Sequence, residues 1–389
     1  MNVQIFSGAM VFDGGQMLAD HSVVVKNGSI TAILADSDVP NGETVVLQGG
    51  VLAPGLIDLQ VNGGGGVMLD GSADVACIAH ICATHGGLGA TGILPTLITD
   101  TPQATAAAIS AGIAAAQAGV PGFLGLHLEG PHLDPRRKGA HDPALIRPMD
   151  EGDLKALCVA AAALPALMVT LAPASVTTAQ IATLAAAGAV VSLGHADCTL
   201  SEADAAMDAG ARCVTHLFNA MSQLGSREPG LVGAALRSRP YAGLIADGLH
   251  VHPHTIGLAL AAKGLGKVFL VSDAMAVAGT DVTDFTLGGR RILRQQGRLT
   301  LEDGTLAGAD LTLPEAVRTM IRIIGLRPEQ ALAMATSVPA GLLGLADEIG
   351  LIAPGVVANL VHFDTDWQLA GVWRAGKPLV QAKPAGPGS

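Results

Sequence analysis

The central part of the chain repeats one pattern, in which short apolar runs alternate with longer Ala-rich stretches. Each run is four to six residues long, as expected for a buried strand, and stretches such as Pro102–Ala118 and Thr177–Ala187 have the length of helices. The runs are Leu56–Val61, Ile93–Ile98, Phe123–Leu128, Leu167–Ala172, Val190–Leu193, Cys213–His216, Gly243–Ala246 and Val268–Ser272. This alternation predicts an α/β fold, a (β/α)8 TIM barrel. A doubly wound sheet also alternates, but eight consecutive units favour a closed barrel.

Both ends of the chain instead show short segments of alternating apolar and polar residues, separated by turns. The N-terminal segments are Val3–Phe6, Ser22–Lys26 and Ile30–Leu34, and the tail from Ile349 to Pro378 has the same pattern. We therefore predict a small, discontinuous β-sandwich domain formed by both chain termini. Its predicted parts are residues 1–53 and 348–380, the barrel spans 54–347, and we expect 381–389 to be a disordered tail.

Composition and charge exclude several classes of protein. Half of the 389 residues are hydrophobic and only 14% are charged, which is too apolar for a disordered chain. The formal net charge of −11 argues against nucleic acid or an anionic membrane as a partner. The apolar stretch Ala156–Ala174 is long enough to cross a bilayer, but Pro165 divides it, and we interpret it as a buried helix followed by a buried strand.

Two further features predict the cellular compartment. The N-terminus lacks a basic region followed by an apolar one, so we expect no signal peptide. The five cysteines are odd in number and lie mostly in apolar segments, which is typical of reduced thiols in a protein core. We therefore expect a cytoplasmic protein.

Polar side chains follow the apolar runs at the points where the predicted strands end. They are Gln60, Asn62, Glu129, His195, His216, Asp247, His250 and Asp273. One such residue alone is usually a satisfied polar group or a helix cap, but the carboxyl ends of all barrel strands meet at one mouth. Glu129, His195 and His216 match the three-ligand pattern of a catalytic metal site. Asp273 is then available as a general base.

Nine short motifs occur in a fixed order along the chain. They are Pro54–Gly63, His127–Pro131, Lys138–His141, Ser192–His195, Thr215–Met221, Arg227–Gly230, Asp247–His250, Ser272–Ala274 and Leu306–Gly308. With this set the chain resembles the N-acetylglucosamine-6-phosphate deacetylases of the amidohydrolase superfamily over essentially its whole length. The resemblance implies a barrel with a small β-sandwich made by both chain ends. It also implies hydrolysis of N-acetylglucosamine 6-phosphate to glucosamine 6-phosphate and acetate, in amino-sugar catabolism and cell-wall sugar recycling.

The resemblance also implies a role for individual residues. Glu129, His195 and His216 correspond to the metal ligands, Asp273 to the catalytic carboxylate that acts as base and then acid, and His141 to a group that stabilises the oxyanion. The expected substrate contacts are Gln60, Asn62, Ala140, His141, Asn219, Ala220, Arg227, His250 and a loop of Ala307, Gly308 and Ala309. Arg227 and His250 are expected to hold the phosphate, because a guanidinium presents paired donors to its oxygens.

The number of metal ions is predicted from two departures from related enzymes. Many amidohydrolases carry His-x-His after the first strand, where this chain has Gln60 and Asn62, and no lysine follows the fourth strand. We therefore expect one divalent ion per subunit, Zn2+ in first place, with Fe2+, Co2+ and Mn2+ open. The resemblance also implies a homodimer and leaves open whether phosphate contacts cross its interface. The role of His127 stays open, as does that of Ala309, where relatives often carry serine.

Three other functions compete with this interpretation. Deacetylation of a related sugar, such as N-acetylgalactosamine 6-phosphate, differs at one hydroxyl group, and the sequence does not separate the two. A cyclic-amide hydrolase or deaminase usually retains the His-x-His pair, which is absent here. A catalytically inactive protein on this fold would lose a ligand or the base, whereas Glu129, His195, His216 and Asp273 are all present.

Overall fold

The computed structural model of the protein describes residues 3–237 and 239–380. The predicted tail at 381–389 lies outside the described residues. The N-terminal strands are β1 (Val3–Ser7), β2 (Met10–Phe12), β3 (Met17–Leu18), β4 (His21–Lys26), β5 (Ser29–Ala35), β6 (Glu43–Val46) and β7 (Val51–Pro54). A short 3-10 turn lies at Asp36–Asp38.

The predicted TIM-type barrel is confirmed. Its strands, parallel and neighbouring in chain order, are β8 (Leu56–Val61), β11 (Ala90–Ile98), β12 (Leu126–Glu129), β13 (Leu167–Leu171), β14 (Val190–Leu193), β15 (Cys213–Val214), β16 (Tyr241–Leu244) and β17 (Val268–Leu270). A two-stranded ribbon of β9 (Gly63–Gly64) and β10 (Val67–Met68) follows β8. The sheet closes where Asp273 N donates to Gln60 O (3.1 Å) and Asn62 N to Ala274 O (2.8 Å). Strands β8, β12, β13 and β14 are buried throughout, which explains their unbroken apolar runs.

Helices connect the barrel strands. They are α1 (Val75–Gly87), α2 (Pro102–Gln117), α3 (Glu151–Ala163), α4 (Thr178–Ala186), α5 (Leu200–Asp208), α6 (Gly230–Leu236) and α7 (Pro253–Lys263), with a 3-10 turn at Pro135–Arg137. Capping boxes begin three of them: Asp150 with Asp153, Thr177 with Gln180, and Thr199 with Glu202. Such side chains satisfy the free N–H groups of a first turn, so polar residues at these points separate strand from helix.

The apolar stretch Ala156–Ala174 is the end of α3 followed by β13, as predicted. Among the described residues, no helix combines the length and the apolar character that a membrane crossing requires.

An antiparallel sheet that the sequence analysis did not predict is inserted after the last barrel strand. It consists of β18 (Asp284–Leu287), β19 (Arg290–Gln295), β20 (Arg298–Leu301) and β21 (Leu306–Ala309). Its Leu287, Ile292 and Leu299 share a core with Met275 and Val277. The expectation of a loop at Ala307–Ala309 was therefore wrong: these residues lie in β21, which pairs with β20. The turns Gly288–Gly289 and Gln296–Gly297 are the hairpin signals that this sheet has in the sequence.

The C-terminal part contains α8 (Leu313–Arg322), α9 (Pro328–Ala333), α10 (Ser337–Leu343), β22 (Leu360–Phe363), β23 (Leu369–Arg374) and β24 (Lys377–Val380). Strands from both termini form one sheet in the order β24-β23-β22-β7-β2-β3, and a second sheet has the order β5-β4-β1-β6. One hydrophobic core joins residues of both sheets, including Phe6, Val23, Leu52 and Leu360 with Trp373. The rings of Phe6 and Trp373 meet edge to face at 5.2 Å. The predicted small sandwich of both chain ends is present.

The described residues fall into two compact units, one with 3–57, 85–91 and 313–380 and the other with 58–84 and 92–312. The second unit contains every predicted site residue. The domain boundaries predicted from sequence, at 53/54 and 347/348, stay a prediction.

Candidate functional site

A cavity of about 630 Å³ lies at the carboxyl ends of the barrel strands. Among the predicted site residues, its wall contains Asn62, Glu129, Ala140, His141, His195, His216, Asn219, Ala220, His250, Asp273 and Gly308. The inserted sheet contributes Leu287 and the segment 304–306 to the same wall. Gln60, Arg227, Ala307 and Ala309 are not among the lining residues. The structure thus brings together most, but not all, of the residues predicted to act jointly.

Glu129, His195 and His216 converge within this cavity. Nε2 of His216 lies 3.1 Å from Oε1 of Glu129, and Nε2 of His195 lies 3.4 Å from the same oxygen. The two Nε2 atoms are 3.0 Å apart. Burial opposes ionisation of Glu129, but the neighbouring imidazoles of His195 and His216 outweigh it and hold the pKa of this carboxyl well below its usual value. The group therefore offers one charged oxygen and two imidazole nitrogens to a common point.

The hydrogen bonds around this group fit a divalent cation. Nδ1 of His195 lies 2.9 Å from the carbonyl oxygen of Arg137, which can only accept a hydrogen bond. Nδ1 therefore carries the proton, and Nε2 presents its lone pair to the cavity. Nδ1 of His216 is buried without a partner in the part of the chain that the structure describes, so this ring lacks the hydrogen bond that orients His195. A carboxylate and two imidazoles are ligands that Zn2+ and its neighbours among the transition metals accept.

His141 lies beside the same group. Its ring meets that of His195 at a centroid distance of 4.4 Å, and its Nε2 is 3.7 Å from Oε2 of Glu129. By spacing alone, Glu129, His141 and His195 are also a set that can hold a metal ion. Burial first, and His195 next, lower the pKa of His141 to about 3, so this imidazole is neutral.

Asp273 is held from several sides directly after the last barrel strand. Its backbone N–H donates to Gln60 O at 3.1 Å, and its Oδ1 accepts a 2.7 Å hydrogen bond from Nδ2 of Asn62. Burial first, and the charge of Glu129 next, raise the pKa of Asp273 to about 6. Oδ1 of Asn62 is buried and lacks a partner among the described residues. Asp273 is thus a fixed carboxylate in the cavity wall.

Side chains on one face of strand β8 and at its end hold Glu129 and Asp273 in place. Asp58, Gln60 and Asn62 are two residues apart, so all three side chains point to the same side of the strand. Oδ2 of Asp58 accepts from the backbone N of Ser272 at 3.1 Å, directly before Asp273. Burial raises the pKa of Asp58 to about 7.

Gln60 contacts a predicted metal ligand and lies away from the cavity surface. Its Nε2 donates to Oε1 of Glu129 at 2.9 Å, and its Oε1 accepts from Oγ1 of Thr215 at 2.8 Å. Gln60 is only 1% exposed. The side chain of Gln60 therefore orients Glu129, and its contact with the substrate stays a prediction.

Four non-glycine residues around the cavity have a positive φ. They are His195 (45°), Phe218 (78°), Ala220 (49°) and Asp273 (50°). This conformation is strained for a residue with a Cβ and persists where surrounding contacts over-determine it. The strain coincides with a candidate metal ligand and with the candidate base, which supports a functional interpretation of both.

His250, Asn219 and Ala220 line another part of the cavity wall. Nδ1 of His250 lies 2.6 Å from Oδ2 of Asp247. Burial opposes ionisation of Asp247, but its hydrogen bonds with His250 outweigh it and lower the pKa of the carboxyl. Arg227, which was expected beside His250, is instead exposed in the segment before α6.

Gly308 is the only one of the three predicted residues at 307–309 that lines the cavity. Ala307 and Ala309 have buried side chains on either side of it. Gly308 has a φ of +64°, and a Cβ there would lie 2.8 Å from Asp273 O and 2.6 Å from Cγ of Met275. A glycine is therefore needed next to the candidate base.

His127, whose role the sequence left open, is fully buried in the barrel interior. Its Nε2 lies 2.7 Å from Oγ1 of Thr170, and burial lowers its pKa to about 4. It is a neutral, hydrogen-bonded core residue two positions before Glu129.

Several supporting residues were missed by the sequence analysis. Thr99 lies 2.8 Å (Oγ1) from Nδ1 of His141, Thr215 orients Gln60, and Arg137 fixes His195 through its carbonyl. Thr99 directly follows the run Ile93–Ile98, so the criterion that found the other strand-end residues would have found it. The carbonyl of Arg137 has no signal in the sequence, because any residue carries one.

The fold and this cluster define a (β/α)8-barrel protein with a candidate metal centre at the carboxyl ends of its strands. The model of the Amidohydrolase family matches residues 51–384. The chain therefore belongs to the amidohydrolase family of hydrolases, which confirms the resemblance seen in the motifs.

Known relatives cover almost the whole chain. An N-acetylgalactosamine-6-phosphate deacetylase from a Shewanella species is 38% identical over 98% of this chain and 97% of that protein. An N-acetylglucosamine-6-phosphate deacetylase from Haemophilus influenzae is 32% identical over 95% of this chain and 97% of that protein. The crystal structure of N-acetylglucosamine-6-phosphate deacetylase from Pasteurella multocida has a TM-score of 0.93 and 35% identity, and covers 97% of this chain and 99% of that chain.

The collision at Gly308 yields a testable prediction. In Gly308→Ala the new Cβ should displace Asp273, and kcat on a 6-phosphorylated N-acetyl amino sugar should fall about tenfold or more. Gly289→Ala is the matched control, since Gly289 has a φ of +75° in the same sheet but nothing within 4 Å of the added Cβ. The control shares the backbone strain without the collision. Equal losses of kcat in the two variants would mean that the contact with Asp273 is unimportant.

Proposed function

We propose that this amidohydrolase deacetylates N-acetylglucosamine 6-phosphate, giving glucosamine 6-phosphate and acetate. The observation that carries the proposal is the presence of a fixed carboxylate, Asp273, in the same cavity as Glu129, His195 and His216. Hydrolysis of an amide requires an activated water, a proton donor for the leaving amine and stabilisation of the oxyanion. The names of the relatives supply the substrate class.

The proposed metal site holds one divalent ion per subunit, with Zn2+ as the first choice and Fe2+, Co2+ or Mn2+ as alternatives. Glu129, His195 and His216 are the proposed ligands. Bound there, such an ion lowers the pKa of water and polarises a carbonyl oxygen. A single ion is supported by Gln60 and Asn62, which occupy positions where a second ion would need histidines and instead make hydrogen bonds within the site.

Asp273 has the role of general base and then general acid. Its Oδ1 is occupied by Asn62, which leaves Oδ2 to take the proton from the attacking water. The same carboxyl then delivers that proton to the nitrogen of the departing amine. His141, neutral and in the cavity wall, is proposed to donate a hydrogen bond to the carbonyl oxygen of the acetamide as negative charge develops there.

The substrate contacts proposed besides His141 are Asn62, Ala140, Asn219, Ala220, His250 and the strand residues Ala307, Gly308 and Ala309. The unpartnered Oδ1 of Asn62 supports a contact there. Phosphate is proposed to bind His250 and Arg227. Because Arg227 is exposed and absent from the cavity wall of its own chain, we propose a homodimer in which Arg227 serves the cavity of the partner subunit.

The second candidate substrate is N-acetylgalactosamine 6-phosphate. It is favoured by the Shewanella relative, which is 38% identical and bears that name. Both sugars place the acetamide and the phosphate on the same ring carbons, so the roles proposed for Asp273 and His250 hold for either. The proposed setting is cytoplasmic amino-sugar catabolism and cell-wall sugar recycling.

The first test is acetate release from a panel of amino sugars by zinc-loaded protein. We expect the highest kcat/KM with N-acetylglucosamine 6-phosphate, measured against N-acetylgalactosamine 6-phosphate and unphosphorylated N-acetylglucosamine.

Removal of the metal by a chelator should abolish turnover, and added Zn2+ should restore it. The melting temperature should show that the barrel stays folded. Elemental analysis should find one ion per chain. Full turnover by metal-free protein would refute the metal site, and a preference for the galacto sugar would select the second candidate.

The role of Asp273 is tested by Asp273→Asn. The amide keeps the shape and an acceptor for Asn62 but cannot take the proton, so kcat should fall by at least about two orders of magnitude. Metal content and KM should stay near wild type. If kcat drops less than about tenfold while the melting temperature falls, Asp273 supports the structure and the base lies elsewhere.

The phosphate contact is tested by Arg227→Ala. Loss of a charge-assisted pair should raise KM for the phosphorylated sugar roughly ten- to a hundredfold, with little effect on the unphosphorylated sugar. Arg237→Ala is a suitable control, because Arg237 is an exposed arginine paired with Asp204. Equal KM changes for both sugars in Arg227→Ala would show that this residue does not bind the phosphate.

A further inference from the structure

Two groups of Thr99 converge on one nitrogen of His141. The backbone N of Thr99 lies 3.3 Å from Nδ1 of His141 with hydrogen-bond geometry, and Oγ1 of Thr99 lies 2.8 Å from the same atom. A backbone N–H can only donate, so Nδ1 must present its lone pair. The hydroxyl has one proton, and we assign it to this lone pair at 2.8 Å in preference to the carbonyl oxygen of Glu129 at 3.3 Å. In a neutral imidazole the proton is consequently on Nε2.

The neighbouring histidine is held in the opposite state. Nδ1 of His195 faces the carbonyl of Arg137, an obligate acceptor, so the proton is on Nδ1 and the lone pair on Nε2. His141 and His195 are in ring contact at 4.4 Å. One therefore presents a lone pair to the cavity and the other an N–H. A protonated Nε2 cannot bind a metal, which separates the roles of two residues that spacing alone makes equivalent.

The absence of a side chain at Gly130 leaves room for the hydroxyl of Thr99. Thr99 is 5% exposed, and its Oγ1 also lies 3.3 Å from the backbone carbonyl of Glu129. The next residue is Gly130, where a Cβ would lie 2.2 Å from Oγ1 of Thr99. A side chain at 130 would displace the hydroxyl from Nδ1. Thr99 therefore joins His141 to the strand end that carries Glu129.

We propose that Thr99 is a positioning residue that holds His141 as the Nε2–H tautomer, which makes His141 a hydrogen-bond donor into the cavity and excludes it from the metal ligands. The identity of the acceptor, the acetamide carbonyl, rests on the proposed function. The tautomer and the metal ligation do not, and they are measured in the resting protein.

The test uses the full chain labelled with 15N-histidine, with and without Zn2+. The His141→Gln variant identifies the signals of His141 by their absence. In the wild type we expect the proton on Nε2 in both states. Thr99→Val keeps the branched shape and the backbone N–H but removes the hydroxyl, the closer of the two donors to Nδ1. The share of His141 that carries its proton on Nδ1 should therefore rise. The kcat of this variant should fall about tenfold, with KM and zinc content near wild type. Thr99→Ser should restore both the tautomer and kcat.

Three results would overturn the proposal. They are a wild-type His141 with its proton on Nδ1, coordination of zinc by Nε2 of His141, and a Thr99→Val variant with the wild-type tautomer and kcat. If Thr99→Val does not fold, the wild-type spectra still decide. If no sugar phosphate releases acetate, the deacetylase proposal fails, while the spectra still accept or reject the tautomer.

Discussion

The carboxylate of Glu129 is the interaction on which the rest of the site depends. It is buried at the end of a barrel strand, where an unpaired charge would be strongly destabilising. Gln60, His195 and His216 approach it from three other strand ends. Their positions are therefore coupled: His195 and His216 are directed at the point where a cation would bind, and Gln60 holds the carboxylate from outside the cavity wall.

Strand β8 shows how one strand can support a site without binding the metal. Alternate residues share a face, so Asp58, Gln60 and Asn62 reach three different groups from one side of the strand. They contact the backbone before Asp273, the carboxylate of Glu129 and the carboxylate of Asp273. A pair of histidines at the last two positions would remove both hydrogen bonds. Gln60 and Asn62, in place of two histidines, thus account both for the single proposed ion and for the fixed position of Asp273.

Backbone groups determine what each histidine of the site can do. The carbonyl of Arg137 leaves His195 with a lone pair toward the cavity, and the N–H of Thr99 leaves His141 with a proton there. Both backbone groups belong to segments that follow barrel strands, and His195 itself has a φ of 45°. Strand-end geometry therefore supplies chemical selectivity among side chains of one residue type.

The sequence by itself determined the barrel, the small sandwich and the cluster of Glu129, His195, His216 and Asp273. Buried parallel strands appear in a sequence as apolar runs, and the carboxyl ends of the strands of a barrel meet at one mouth. Only the tertiary structure decided that Gln60 holds Glu129 and that Arg227 lies outside the cavity of its own chain. It also showed the inserted sheet, which the barrel pattern obscured. The partners of Gln60 and Asn62 lie 69 and 211 residues away along the chain. Which polar atoms meet over such separations depends on strand register and barrel closure, which local patterns of residues do not encode.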